Sequence, residues 1–257
     1  MDQVVSLSRN SANQAKFVYD ERGNVISITR ANGTYTSYEY DAANRLQSVK
    51  NYNAAGALLD SFTYSYDADG NRTSVVTGAG TISYQYDALN QLTQETLLDG
   101  STVAYAYDAV GNRTTKTVTQ GGITTTTTYT YDAANQLTAV NGQAYTYDAN
   151  GNLTGNGART FIYDIENRLI EVKNSAGTSL ATFSYDHEGK RTSMTTSSGT
   201  LNFHYNGNKV IYETDANNNI VADYTWDAQG NPVTMTKSGV TYYYHLNGHG
   251  DVTSLTD

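Results

Sequence analysis

Polar and apolar residues alternate along this chain in short runs, and aromatic residues carry the alternation. Tyr-Asp recurs nine times, at Tyr19-Asp20, Tyr40-Asp41, Tyr66-Asp67, Tyr86-Asp87, Tyr107-Asp108, Tyr131-Asp132, Tyr147-Asp148, Tyr163-Asp164 and Tyr185-Asp186. Tyr205-Asn206, Trp226-Asp227 and Tyr244-His245 extend the series as looser copies, giving twelve units spaced by 16 to 26 residues. The residue two before each of these aromatics is itself aromatic, from Phe17, Tyr38 and Tyr64 through Phe203, Tyr224 and Tyr242. Successive side chains of a strand point to opposite faces, so a spacing of two puts both rings on one face. The residue between them is usually small or polar, as at Ser65, Gln85 and Thr130. Helical spacing is not seen.

Four residues after the motif aromatic stands Gly or Asn in eleven of the twelve units. Glycine occupies this slot at Gly23, Gly70, Gly111, Gly151, Gly189, Gly230 and Gly248, and asparagine at Asn44, Asn90, Asn135 and Asn167. These residues tolerate positive φ, and the preceding Asp can accept backbone N–H groups as an Asx-turn. Tyr-Asp-x-x-Gly/Asn therefore reads as strand end, turn and left-handed position. The Tyr205 unit has Lys209 in the slot, and Gly207-Asn208 predicts a shifted turn there. Gly and Asn alternate strictly through the first nine units, so the larger period is a pair of hairpins, roughly 40 residues. Between units lie further turn signals, including Asn32-Gly33, Asp99-Gly100, Gly121-Gly122, Asn141-Gly142 and Ser238-Gly239. A turn at both ends of each unit predicts an all-β chain: an antiparallel meander of tandem hairpins.

Open sheets rarely exceed about ten strands without curling or splitting. Three solutions remain: a sheet spiralling into a hollow barrel or shell segment, a β-propeller with blades of paired units, or stacked sandwiches. Propellers and sandwiches bury Val, Ile and Leu between sheets. Here the repeated residue is Tyr, whose ring can pack on its neighbour while the hydroxyl stays wet. That composition favours the spiral, with the β-propeller as the alternative. Residues 1–257 read as one array, and the twelfth unit begins near residue 240.

Composition narrows the function classes. Hydrophobic residues make up 38% and charged residues 16%, with one proline and no cysteine. Disulfides and zinc fingers are excluded. The net charge of −9 disfavours nucleic acid as a partner, because a phosphate binder needs a basic stripe. No run approaches the roughly 18 apolar residues of a membrane span, and no signal peptide is visible at Met1.

Tyr107-Asp-Ala-Val-Gly-Asn-Arg-Thr-Thr115 resembles the YD repeat of the Rhs (rearrangement hotspot) family, and the resemblance covers essentially the whole chain. The segment Tyr242–Thr253 is similar to the lead into the family's Rhs-associated core. The resemblance implies bacterial polymorphic toxins, ABC-toxin shell components, wall-associated proteins and teneurins. It implies a β-ribbon spiralling into a hollow shell, a secreted or bacterial cell-surface location, and a C-terminal effector polypeptide as the enclosed partner. The family's self-cleaving Asp-Pro core and effector would follow Asp257.

No catalytic constellation emerges. There is no nucleophile elbow, phosphate loop or His-Glu-x-x-His, and the carboxylates are spread one per turn. Asp67-Ala-Asp-Gly-Asn71 has an oxygen-rich look suited to calcium, but each Asp is expected to serve its turn. His245 and His249 stand four apart on a Gly-rich hairpin, where a structural role is expected over metal. Asn-x-Thr sequons stand at Asn32, Asn71, Asn112 and Asn152, and the last three arise from the repeat itself. The expectation is a non-catalytic shell segment without metal or cofactor. The second reading is a module binding cell-surface glycans through exposed rings or Trp226.

Overall fold

The computed structural model describes residues 3–9 and 12–257, and every regular element among them is a strand. The first sheet opens with β1 (Gln3–Arg9), β2 (Ala12–Tyr19), β3 (Val25–Arg30), β4 (Tyr35–Tyr40), β5 (Leu46–Tyr52), β6 (Leu58–Tyr66) and β7 (Arg72–Thr77). It continues through β8 (Gly80–Tyr86), β9 (Leu92–Thr96), β10 (Thr102–Tyr107), β11 (Arg113–Gln120), β12 (Ile123–Tyr131), β13 (Leu137–Val140) and β14 (Gln143–Ala144). The second sheet starts with β15 (Thr146–Tyr147), β16 (Leu153–Gly155), β17 (Arg159–Tyr163), β18 (Leu169–Asn174), β19 (Ser179–Tyr185) and β20 (Arg191–Thr196). It ends with β21 (Gly199–Asn206), β22 (Lys209–Thr214), β23 (Ile220–Trp226), β24 (Pro232–Lys237), β25 (Val240–Leu246) and β26 (Val252–Thr256).

Both sheets, of 14 and 12 strands, run strictly in chain order. Neither is cut into four-stranded blades, so the fold is not a propeller. In neither sheet does the first strand pair with the last, so neither is a closed barrel. The sheets part at Tyr145, inside one extended segment that pairs with β13 at its start and β16 at its end.

The repeated turn explains the repeated sequence. Asp20 N donates to Asn24 O at 2.9 Å, and Gly23 N donates to Asp20 O at 3.1 Å. The same two bonds recur at Asp41, Asp67, Asp108, Asp132, Asp148, Asp164, Asp186 and Asp227, and Asp87 accepts the second from Asn90. This is a three-residue hairpin loop closed by a left-handed residue, which leaves a bulge in the ladder. The bulge falls immediately before the motif aromatic: Val18 faces Ser27, but Tyr19 faces Val25. The left-handed residue has φ 84° at Gly23, 65° at Asn44, 90° at Gly70 and 60° at Asn90.

Nothing lies within 4 Å of a Cβ added at Gly70, so only its φ restricts the residue there. Gly70→Ala should therefore cost about 1 kcal/mol in urea denaturation, and Gly70→Asn distinctly less.

The twelfth unit departs from the sequence frame. Its turn is built on Asn247, with the left-handed residue at Gly250 and not Gly248. Leu246 thus takes the motif aromatic's place, and Tyr244 lies within β25. The Tyr205 unit closes through Gly207-Asn208, with Asn206 facing Lys209. The same five-residue turn also appears without Tyr-Asp, at Arg30–Thr34, Asn53–Ala57, Asn174–Thr178 and Asp215–Asn219.

The chain forms two compact units. Unit 1 is Met1–Asn90, Glu95–Asp99 and Ala222–Asp257; unit 2 is Gln91–Gln94 and Gly100–Val221. Both buried hydrophobic clusters found among the described residues belong to unit 1. One gathers Ala15, Phe17 and Val233; the other gathers Val49, Tyr64 and Val75.

Candidate functional site

The motif Asp carboxylate is consumed by its own turn. Asp20 Oδ1 accepts the backbone N–H groups of Arg22 at 2.9 Å and Asn24 at 2.8 Å, and Oδ2 accepts Asn24 Nδ2 at 2.9 Å. The Asn24 side-chain bond, followed by the backbone N–H groups, holds this carboxyl below its ordinary range. Asp108 and Asp148 are lowered in the same way by Asn112 and Asn152. At Asp41 and Asp164 the largest cause is the backbone N–H of the arginine four residues on.

The second proton of Asn24 Nδ2 goes to the next turn, where Asn44 Oδ1 accepts it at 2.7 Å. Asn71 donates likewise to Asn90 at 2.7 Å, Asn112 to Asn135 at 2.9 Å and Asn152 to Asn167 at 2.8 Å. In each pair a glycine turn donates, and the acceptor is the left-handed Asn of the following turn. Arg45 Nη1 then passes the connection to the Asp67 carbonyl at 3.0 Å, and Arg168 Nη1 does so to Asp186 at 3.1 Å. This relay gives the Gly/Asn alternation a physical reason.

The motif tyrosines also reach backward. Tyr40 Oη donates to Val25 O at 3.0 Å, Tyr66 to Leu46 at 2.6 Å, Tyr131 to Arg113 at 3.0 Å and Tyr205 to Arg191 at 2.8 Å. Tyr86, Tyr107, Tyr147 and Tyr185 do the same for Arg72, Leu92, Leu137 and Leu169. These hydroxyls are therefore not left to water, as the sequence reading had it. The reason lies in the open end of the preceding hairpin, where pairing stops before the strand ends: β11 and β12 are last paired at Thr115 and Thr128. The Arg113 carbonyl beyond that point needs a donor, and the tyrosine supplies it. Tyr185→Phe should cost about 1 kcal/mol in thermal or urea melts, leaving the Leu169 carbonyl unmet.

Arginines cover the rings from above. Arg72 stacks on Tyr64 at 4.3 Å from the ring centre, Arg113 on Tyr129 at 4.7 Å and Arg191 on Phe183 at 4.4 Å. Guanidinium groups are thus stacked on aromatic rings at these three points. Trp226 lies 6.4 Å from Tyr224, ring centre to ring centre, on the same strand.

Within unit 1, β25 and β26 meet β3 to β6 along a polar seam. Arg30, only 5% exposed, donates from Nη1 to Thr36 Oγ1 at 2.9 Å. Thr36 Oγ1 donates onward to Asn51 Oδ1 at 2.6 Å, and Asn51 Nδ2 donates to Asp60 Oδ1 at 2.5 Å. Across the seam Thr253 Oγ1 donates to Asp60 Oδ2 at 2.9 Å, and Gly248 N donates to Tyr64 Oη at 2.6 Å. Asn32 Nδ2 donates to Thr256 Oγ1 at 3.1 Å. His245 is fully buried; its Nε2 lies 3.0 Å from Thr256 Oγ1, and its Nδ1 has no partner. Burial, reinforced by the nearby Arg30 charge, pulls the imidazole down to about 4. Burial also lowers the Arg30 guanidinium to about 10, opposed by Tyr38 and Asp60.

Beside the seam is an open cleft of about 490 Å³ lined by Phe62, Tyr64, Tyr84, Asn247, His249 and Asp251. Arg72 Nη1 donates to His249 Nε2 at its margin. His245 and His249 thus occupy different surroundings. No group of three or more His, Cys, Asp or Glu side chains suited to a metal occurs among the described residues. Asp67, the first carboxylate of the oxygen-rich Asp67–Asn71 segment, is engaged by Asn71 through both oxygens. The sequon side chains of Asn71, Asn112 and Asn152 are likewise committed to the relay. No helix long and apolar enough to cross a membrane is present among the described residues.

Tandem hairpins tied edge to edge by one repeated turn define a wall-forming repeat protein. The profile of the teneurin YD-shell family matches residues 71–199, and that of the RHS repeat matches residues 19–57. The chain belongs to the YD-shell family of RHS-repeat proteins and is a structural shell segment of that kind. It is 38% identical to the tRNA nuclease WapA of Bacillus subtilis strain 168 and to the tRNA(Glu)-specific nuclease WapA of Bacillus subtilis subsp. natto strain BEST195. Each match covers 100% of this chain, which spans only 11% of those relatives' length. Among solved structures, the Photorhabdus luminescens Tc holotoxin pore with the TccC3-D651A mutation superposes with a TM-score of 0.76. That match covers 99% of this chain and 16% of the other, at 16% identity. The TcdB2-TccC3-Cdc42 complex gives 0.74, covering 96% of this chain and 16% of the other at 16% identity.

Proposed function

We propose that this segment is non-catalytic wall, one continuous array of hairpin units in a larger secreted or surface-exposed toxin-like protein, where it helps enclose or present a C-terminal effector polypeptide. The observation that carries this reading is the relay of side-chain bonds that joins consecutive turns at six places along the edge. It commits the residues that repeat to holding hairpins together, and it leaves none of the motif carboxylates free for chemistry. The tRNA nuclease names of the relatives support a toxin setting, and the shell complexes containing TccC3 support an enclosed partner. The net charge of −9 argues against this segment holding the nucleic acid itself.

Two measurements test the reading. The chain alone, incubated with tRNA, should leave it intact; cleavage would overturn the non-catalytic role. In the full-length parent protein, the region after these repeats should resist protease until the wall is denatured. Equal cleavage with and without the repeats would overturn enclosure.

A second reading rests on the aromatic cleft. Tyr64 and Tyr84 beside Asn247 and Asp251 combine ring faces with hydrogen-bonding groups, a lining suited to a sugar of a cell-surface glycan. Saturation-transfer NMR with oligosaccharides should then show contacts that Tyr84→Ala removes; no transfer would count against it.

A further inference from the structure

The seam of unit 1 joins parts of the chain about as far apart in sequence as the fold allows, and it does so mostly through neutral polar groups. Thr253 reaches Asp60, Gly248 reaches Tyr64 and Asn32 reaches Thr256. In the middle sits His245, with one ring nitrogen bonded to Thr256 and the other facing no partner. Ser254, its direct partner across the β25–β26 ladder, also carries a buried hydroxyl with no partner. The repeat requires neither. The seam therefore holds a buried, half-satisfied imidazole and a buried guanidinium.

We propose that the seam is a clasp that acid opens, with His245 as the group that takes up the proton. Protonation puts a second cation into the seam that already holds the Arg30 guanidinium of β3, at a position with no exposed surface. The other groups at the seam do little to offset this. Tyr38 of β4 is neutral, its hydroxyl pushed up to about 12 mainly by burial. Tyr64 of β6 is also raised, burial again being the largest cause. Asp60 of β6 is the seam's carboxylate and is already occupied by Asn51 and Thr253. On the C-terminal side, β26 carries no titratable residue, and Asp227 acts on Tyr38 from the segment before β24. Opening the seam gives His245 water on all sides and separates it from Arg30.

The sign follows from the direction of the shift. The imidazole is lowered from 6.5 to about 4 when the seam is closed. The closed state is therefore fully favoured above pH 6.5 and loses that advantage as pH falls toward 4. Across the window the open-to-closed ratio should rise by up to roughly 300-fold, one proton being taken up per opening.

Hydrogen–deuterium exchange of the whole chain at pH 7 and at pH 4.5, corrected for intrinsic rates, reads this directly. Amides of β25, β26 and β6 should lose protection in acid, while those of β18 to β20 in unit 2 should not. His245→Gln, neutral at every pH, should abolish the acid response. NMR titration of the unsubstituted chain supplies a measurement that does not depend on a variant folding: the His245 ring should titrate well below pH 6. Asp60→Asn separates the other acid-sensitive source. A His245 ring that titrates near 6.5 would overturn the proposal. So would an acid response that persists in His245→Gln and disappears in Asp60→Asn.

Discussion

Tyr64→Ala should lower the stability of unit 1 by about 4 kcal/mol, the loss expected when a large buried aromatic is truncated. Tyr64 is 4% exposed and packs with Val49 and Val75 in one of the two buried clusters. Its ring carries the Arg72 guanidinium at 4.3 Å, and its hydroxyl receives the Gly248 N–H at 2.6 Å. Truncation removes all three and leaves the half-buried Gly248 N–H at the seam without its acceptor. Tyr64→Phe isolates the last of these and should cost about 1 to 2 kcal/mol. Urea denaturation of the two variants decides the matter: equal losses would mean that the ring contributes little and the bond nearly everything.

Phe17→Ala should cost about 3 to 4 kcal/mol by the same cavity argument. Phe17 is 3% exposed and lies against Ala15 and Val233, so one ring joins β2 to β24. The effect should reach beyond the site of substitution. Amide exchange in β24 should quicken together with that of β2, although more than 200 residues of chain separate Phe17 from Val233. Leu180, 40% exposed in unit 2, provides the contrast: Leu180→Ala should change stability by less than about 0.5 kcal/mol. A Phe17→Ala loss confined to β2 and β3 would show that β24 is held by something else.

The turns were legible in the sequence because few residues accept positive φ. Gly23, Asn44 and their counterparts mark those positions with little ambiguity. The aromatic spacing located the strands for an equally local reason. What the sequence did not expose lies between hairpins. Asn24 drew no attention in the sequence, and its acceptor on Asn44 stands 20 residues away. The tyrosine hydroxyls were read as wet because nothing local revealed that pairing at the open end of the preceding hairpin stops before the strand ends. The last unit was assigned to Tyr244 by its ring, whereas its turn follows Asn247-Gly-His-Gly250; the pattern Asx-x-x-Gly was the signal that would have found it. The same pattern marks Asn53–Gly56 and Asn174–Gly177. The seam was out of reach, since no spacing rule connects Asp60 to Thr253.

The relay along the turn edge also bears on how such an array can lengthen or shorten. A glycine turn offers a donor and an asparagine turn an acceptor, so the edge has a parity. Duplicating or excising two hairpins preserves every Asn–Asn bond. Gaining or losing one hairpin sets two glycine turns or two asparagine turns side by side, and that pair lacks either the left-handed asparagine or the asparagine that follows the glycine. Recombination among these repeats is therefore expected to be tolerated in even steps up to Asn167. It becomes free of the rule where Gly189 is followed by Lys190 and the asparagine donor is gone.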